Sequence, residues 1–163
     1  MAELKLRRRN RLRRKEIESL AALLNDNMGC ETFSSSDHVE TAEAGEYKLA
    51  IIGGRPMVMF FDDMPFLTIQ GLLEYNATKG HVTVDMGAVK FLANGADVMA
   101  PGIVDAHPDI KKGMPVWVRD QKNKRALAIG LALMDSAEMI GSDSGKAVKT
   151  VHYVGDKIWD LGN

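Results

Sequence analysis

The chain reads as an α+β protein in two small parts, and three features of the sequence say so. Apolar residues at helical spacing are confined to short stretches near residues 12–27, 68–75 and 86–94. Most other apolar residues sit in short alternating or continuous runs separated by glycine-containing or polar turns, the signature of antiparallel strands. The charge also changes along the chain: residues 1–15 carry a net +7, residues 16–78 a net −9, and residues 79–163 a net +1. A boundary at about residue 78 follows.

The first element is a basic arm. Arg7, Arg8, Arg9, Arg11, Arg13, Arg14 and Lys15 sit among Leu4, Leu6 and Leu12, a pattern for a strand running into a helix. Guanidinium forks suit phosphates. They equally suit a solvated tail or the acidic segment that follows, and the readings are compatible. Next, Ile17, Leu20, Ala21 and Leu24 recur at spacings of three and four, predicting an amphipathic helix over 12–27 that stops near Gly29. Its apolar stripe is assigned to a core.

Strands follow over 38–42, 47–52 and 56–61, with Gly53-Gly54 as the hairpin between the last two. A second helix is expected over Thr68 to Tyr75, with Leu72, Leu73 and Ile69 turned inward, and residues 76–81 act as a connector. Val82 and Val84 then alternate like a strand that meets a short helix near Met86, closed by Asn94-Gly95. Asp97 to Ala100 is extended and ends at the Pro101-Gly102 turn. Further strands are expected over 116–118, 126–133 and 147–154, which together with one helix suit a closed pseudo-barrel.

Within this second part the segment 82–103 holds the binding candidates. Gly87 and Gly95 are expected to leave backbone N–H groups open to a phosphate or carboxylate, and Lys90 belongs on the exposed helix face. The same pattern is also ordinary architecture. The turn 119–125 concentrates four positive charges, among them Lys122, Lys124 and Arg125.

Composition narrows the function classes. A chain of 163 residues, 45% hydrophobic, has enough apolar content for two modest cores. No apolar run approaches the roughly 20 residues that span a bilayer, and the charged start lacks a signal-like apolar stretch, so the expected location is cytoplasmic, with no membrane partner. Cys30, the one cysteine, excludes an internal disulfide and reads as a packing residue. His38, His81, His107 and His152 show no metal-binding spacing, Asp62-Asp63 has poor geometry for acid–base work, and no phosphate-binding glycine motif is present. The chain is therefore expected to be no enzyme, with no catalytic residues, metal or cofactor.

The order VDMGAVKFLANGADVMAPGI, KKGMPVWV, ALAIGLALM and VKTVHYVGDKIWDL resembles a PUA domain, named for pseudouridine synthases and archaeosine transglycosylases. The closing pattern at His152, Tyr153, Val154, Asp156 and Trp159 is similar to that of malignant T-cell amplified protein, ligatin and their archaeal relatives. The resemblance is close over 79–163 and looser over 1–78. It implies an amino-terminal α+β pre-PUA domain over 1–78 and a PUA-type β pseudo-barrel with short helices over 79–163. It also implies a non-catalytic protein that docks structured RNA, a tRNA acceptor end or ribosomal RNA, in translation initiation or ribosome function. Carried over by position, the RNA-facing residues are Gly87, Ala88, Lys90, Asn94, Gly95, Ala96, Met99, Pro101 and Gly102, with Lys90 foremost. Arg7, Arg8, Arg9, Arg11, Lys122, Lys124 and Arg125 are secondary candidates. The alternatives are a protein–protein adaptor for a translation factor or the ribosome, and an accessory subunit of an RNA-modifying enzyme.

Overall fold

The computed structural model describes residues 3–162. The chain divides into two compact units. The first runs to Thr78 and takes back the chain from Lys157 on; the second spans Lys79–Asp156. The sequence reading placed residues 79–163 together, but the closing helix from Lys157 packs on a strand of the first unit.

In the first unit, β1 (Arg7–Arg11), β2 (Val39–Ala44), β3 (Tyr47–Ile52), β4 (Arg55–Phe61) and β5 (Met64–Leu67) form an antiparallel meander in that order. The arm is thus an ordered edge strand, fully exposed along its length. Helix α1 (Arg14–Met28) starts where Glu16 Oε1 accepts the Arg13 N–H at 2.9 Å. It ends because Gly29 takes φ +69°, the left-handed conformation that glycine adopts without strain. Its stripe of Ile17, Ala21, Leu24 and Met28 is buried, with β5 beneath it. Thr68 caps α2 (Ile69–Glu74) by accepting the Gly71 N–H at 3.2 Å. The expectation for Leu73 fails, since it is 48% exposed, whereas Ile69 is fully buried. In so short a helix only one side reaches the sheet. Burying residues such as Leu24, Leu49, Ile51 and Leu67 stabilises the unit by about 1.5–3 kcal/mol each.

The second unit is a six-stranded sheet: β6 (His81–Val84), β7 (Val98–Met99), β8 (Ile103–Ala106), β9 (Pro115–Asp120), β10 (Ala126–Ala132) and β11 (Lys146–Tyr153), ordered β7-β11-β10-β9-β6-β8. All pairs are antiparallel except β6 with β9, and the sheet curls into a pseudo-barrel. Val82, Val84, Leu92, Val98, Val116, Val118 and Val148 fill the interior. Between β6 and β7 a 3₁₀ turn (Met86–Ala88) leads into α3 (Val89–Leu92). The extended segment expected over 97–100 is shorter, because Ala100 begins a 3₁₀ turn with Pro101 and Gly102. Two short helices complete the chain: α4 (Ser136–Gly141), and α5 (Lys157–Leu161), which packs on β4. Among the described residues no helix is long and apolar enough to cross a membrane.

Candidate functional site

Two turns and a helix build a groove on the second unit. Asp85, leaving β6, fixes the first turn: its Oδ1 accepts the Ala88 N–H at 3.0 Å, while its own N–H donates to the Gly102 carbonyl at 2.9 Å. The second bond ties the turn at 86–88 to the turn at 100–102. Leu92 then anchors α3 in the core, leaving Phe91 on the other side of the helix, 56% exposed. Asn94 Nδ2 donates to the Lys90 carbonyl at 3.2 Å and closes the helix end.

Gly95 turns the chain at φ +82°. A Cβ there would meet Tyr153 Cε1 at 2.7 Å, so this position is glycine for backbone and packing reasons. Its N–H donates to the Leu92 carbonyl at 3.0 Å and is not open to a ligand, contrary to the expectation. The next two residues are clamped to β11. Thr150 Oγ1 donates to the Ala96 carbonyl at 2.8 Å and its N–H to Asp97 Oδ1 at 2.9 Å, while Lys146 Nζ lies 3.3 Å from Asp97 Oδ2. The Thr150 N–H above all, with Lys146 helping and partial burial opposing, holds the Asp97 carboxyl below its ordinary range. In β7, alternation sends Val98 into the core and Met99 outward, 47% exposed, paired in register with Lys146.

The result is a groove of about 610 Å³. Of the nine residues singled out from the sequence, Gly87, Ala88, Ala96, Met99, Pro101 and Gly102 line it. Lys90, Asn94 and Gly95 do not; Lys90 is exposed beside it, its Nζ 5.2 Å from the Phe91 ring centre. Sequence reasoning placed the 97–102 segment, Asp97 included, along the groove but missed Asp85, Phe91 and Lys146. A phenylalanine on a short helix carries no signal of its own, and Lys146 reaches the groove only through the β7–β11 pairing. Phe91 and Met99, both in the lining, are exposed apolar side chains of the kind that mark an interaction site.

The secondary candidates fall in two places. In the arm, Arg9 holds Glu40 with two bonds, 3.0 and 2.7 Å, and Arg8 pairs with Glu43 at 3.1 Å. These arginines are engaged by the acidic β2 strand. Arg7 and Arg11 lie in register with Glu43 and Glu40 on the same ladder. Lys122, Lys124 and Arg125 are exposed on the β9–β10 turn, whose shape is set by Asp120 accepting the Asn123 and Arg125 N–H groups at 3.2 and 2.7 Å.

The residues weighed for chemistry stay apart. Asp62 and Asp63 occupy the β4–β5 turn, and Cys30 is half-buried, its thiol pushed up by burial. His81 and His107 meet, their rings 5.4 Å apart, but among the described residues no group of three metal-binding side chains occurs.

A curled sheet with a groove between its first helix and a clamped β7 segment is the architecture of a PUA domain, and a PUA domain profile matches residues 80–154. An uncharacterised protein of Methanocaldococcus jannaschii is 39% identical over 161 residues, 97% of this chain and 99% of that one. Translation machinery-associated protein 20 of Schizosaccharomyces pombe is 40% identical over 82 residues, 48% of this chain and 45% of its own length. The crystal structure of a hypothetical protein from Pyrococcus horikoshii superposes with a TM-score of 0.83 at 35% identity, covering 95% and 99% of the two chains. The chain belongs to the family of PUA-domain proteins that includes these archaeal proteins, translation machinery-associated protein 20 and the malignant T-cell-amplified sequences. The match to the fission-yeast relative spans about half of that protein.

Proposed function

We propose that this protein is a non-catalytic RNA-binding protein of the translation apparatus, which docks structured RNA, a tRNA acceptor end or ribosomal RNA, in the groove of its PUA unit. The groove between α3 and β7 carries the reading: it gathers six of the nine residues nominated from the sequence and adds an exposed aromatic ring at its lip. Phe91, Met99 and Pro101 offer apolar faces on which an unstacked base can lie, and Lys90 stands beside them for the backbone. Family membership supports a role in translation, since one relative's name places it with the translation machinery. The nearly balanced charge of the second unit argues for local contacts over a long electrostatic track.

The test is the affinity of wild type, Phe91→Ala and Lys90→Glu for deacylated tRNA. Losing a base–aromatic stack weakens binding by about 1–3 kcal/mol, so Phe91→Ala should bind roughly 5- to 150-fold less tightly. Lys90→Glu should weaken binding and flatten its salt dependence. Unchanged affinity in both variants would overturn the reading. Retained ribosome association after RNA affinity is lost would favour a protein adaptor, which the acidic stretch 16–78 would suit. Copurification of an RNA-modifying enzyme would favour an accessory subunit.

A further inference from the structure

Exposed sulfur in the second unit is concentrated where the groove opens. Among the described methionines, Met28, Met57, Met59 and Met139 are buried, and Met114 and Met134 are half-buried. Met64, Met86 and Met99 are exposed. Met64 belongs to the first unit, whereas Met86 opens the turn whose next two residues, Gly87 and Ala88, line the groove, and Met99 lines it directly. A thioether is oxidised where an oxidant reaches its sulfur, so exposure sorts these side chains into protected and reactive.

The fold holds Met99 in the open position. Its neighbours Val98 and Ala100 are both core residues, so the backbone is pinned and the side chain between them faces outward. β7 is an edge strand, and Lys146 stands opposite Met99 in its pairing with β11. Facing residues of an antiparallel pair carry their side chains on one face, with Cβ atoms about 5 Å apart. Lys146 itself is drawn to Asp97 at 3.3 Å. The lining around Met99 is otherwise largely apolar, with Phe91, Leu92 and Pro101 among it.

Oxidation changes the chemistry of that wall. With hydrogen peroxide, a sulfur lone pair attacks one oxygen; the S–O bond forms as the O–O bond breaks, and the other oxygen leaves as water carrying both peroxide protons. The methionine is oxidised and the peroxide reduced. The sulfoxide bears a strong dipole and an acceptor oxygen where an apolar face had been. It also gives Lys146 a second acceptor beside Asp97. A base resting on the apolar wall would meet this polar group, a contact that is unfavourable unless the oxygen finds a donor. Methionine sulfoxide reductases reverse the step at the expense of thiol reductants.

We infer, on the basis of the RNA-docking reading above, that Met99 is a site of reversible oxidation by peroxides and that its sulfoxide weakens RNA docking in the groove.

The experiment treats the full chain with dilute hydrogen peroxide, reads oxidation at each methionine by peptide mass spectrometry, and measures affinity for deacylated tRNA before and after. In wild type, sulfoxide should form at Met99 ahead of the buried methionines and weaken binding about fivefold or more, and sulfoxide reductases should restore it. Met99→Leu and Met64→Leu are each compared with their own untreated samples. The loss on oxidation should shrink to under about twofold in Met99→Leu and persist in Met64→Leu. Met99→Gln, which ends in a polar amide at similar length, should reproduce the weaker binding without oxidant, its melting temperature reporting retention of the fold. Four results overturn the inference and leave RNA docking standing: Met99 unoxidised while Met64 is oxidised, unchanged affinity with Met99 oxidised, an equal loss in Met99→Leu, or wild-type affinity in Met99→Gln. Absence of tRNA binding by the untreated wild type overturns the docking reading and the inference with it.

Discussion

Replacing Gly95 by alanine should destabilise the PUA unit without touching the groove lining, and the size of the effect follows from two terms. A residue with a Cβ at φ +82° costs about 1–2 kcal/mol more than glycine. The new Cβ would stand 2.7 Å from Tyr153 Cε1 and 2.9 Å from Cζ, distances real Cβ atoms do not reach. The ring is partly buried against the core of the unit, which limits how far it can retreat. Overpacking of this kind costs about 1–3 kcal/mol. Together the loss is about 2–5 kcal/mol, a large share of the roughly 5–15 kcal/mol that holds a domain folded. Urea unfolding followed by tryptophan fluorescence measures it, with Trp117 reporting from the same unit; the midpoint should fall while the slope stays constant. Gly87→Ala is the control. It has no positive φ, and its Cβ would meet only Asp85 Oδ1 at 3.3 Å, so its loss should stay under about 1 kcal/mol. Equal stability of Gly95→Ala and wild type, or equal losses in the two variants, would refute the argument.

Stability should fall with pH in two separate windows. Burial first, then Arg119 and His107, pushes His81 from 6.5 down to about 4, and its Nδ1 is buried without a hydrogen-bond partner. Between these values the unfolded chain takes up a proton that the folded chain refuses, so stability drops as pH falls from 6.5 towards 4 and is flat above 6.5. His81→Gln should remove that slope in melting curves. The depressed Asp97 carboxyl contributes stability above its ordinary value of 3.8, lost as pH falls further, and Asp97→Asn should flatten only this lower window. In the arm, Arg8→Gln with Arg9→Gln should reduce tRNA affinity far less than Phe91→Ala does, because both arginines already pair with Glu43 and Glu40. A larger loss from the arm, read in the same binding assay, would move the RNA contact there.

The fold was legible wherever local chemistry decides it. Tyr47–Ile52 is read to the residue because its apolar run ends at two glycines, and α1 stops at Gly29 because a left-handed turn ends it there. The short β5 escaped because Pro65 in a four-residue run argues against a strand, yet an edge position tolerates it. Helices α4 and α5 are too short to show periodicity. The burial of Leu73 was misjudged because a two-turn helix exposes residues that a longer amphipathic pattern would cover.

The site divides along the same line. Gly87, Ala88, Ala96, Met99, Pro101 and Gly102 are contiguous enough for a motif to find. Asp97 and Lys146 meet only because β7 pairs with the start of β11, and no local spacing encodes that. Asn94 and Gly95 close the helix, as their residue types indicated, but do not line the groove for which they were also nominated.

The central claim is that the PUA groove docks RNA, and its most direct test is binding of the purified protein to deacylated tRNA, to the same tRNA without its single-stranded 3′ end, and to an unrelated duplex, at two salt concentrations. Preference for the intact tRNA that survives the higher salt is the predicted result. Equal, salt-sensitive binding to all three would contradict it and reduce the RNA contact to the arginine arm.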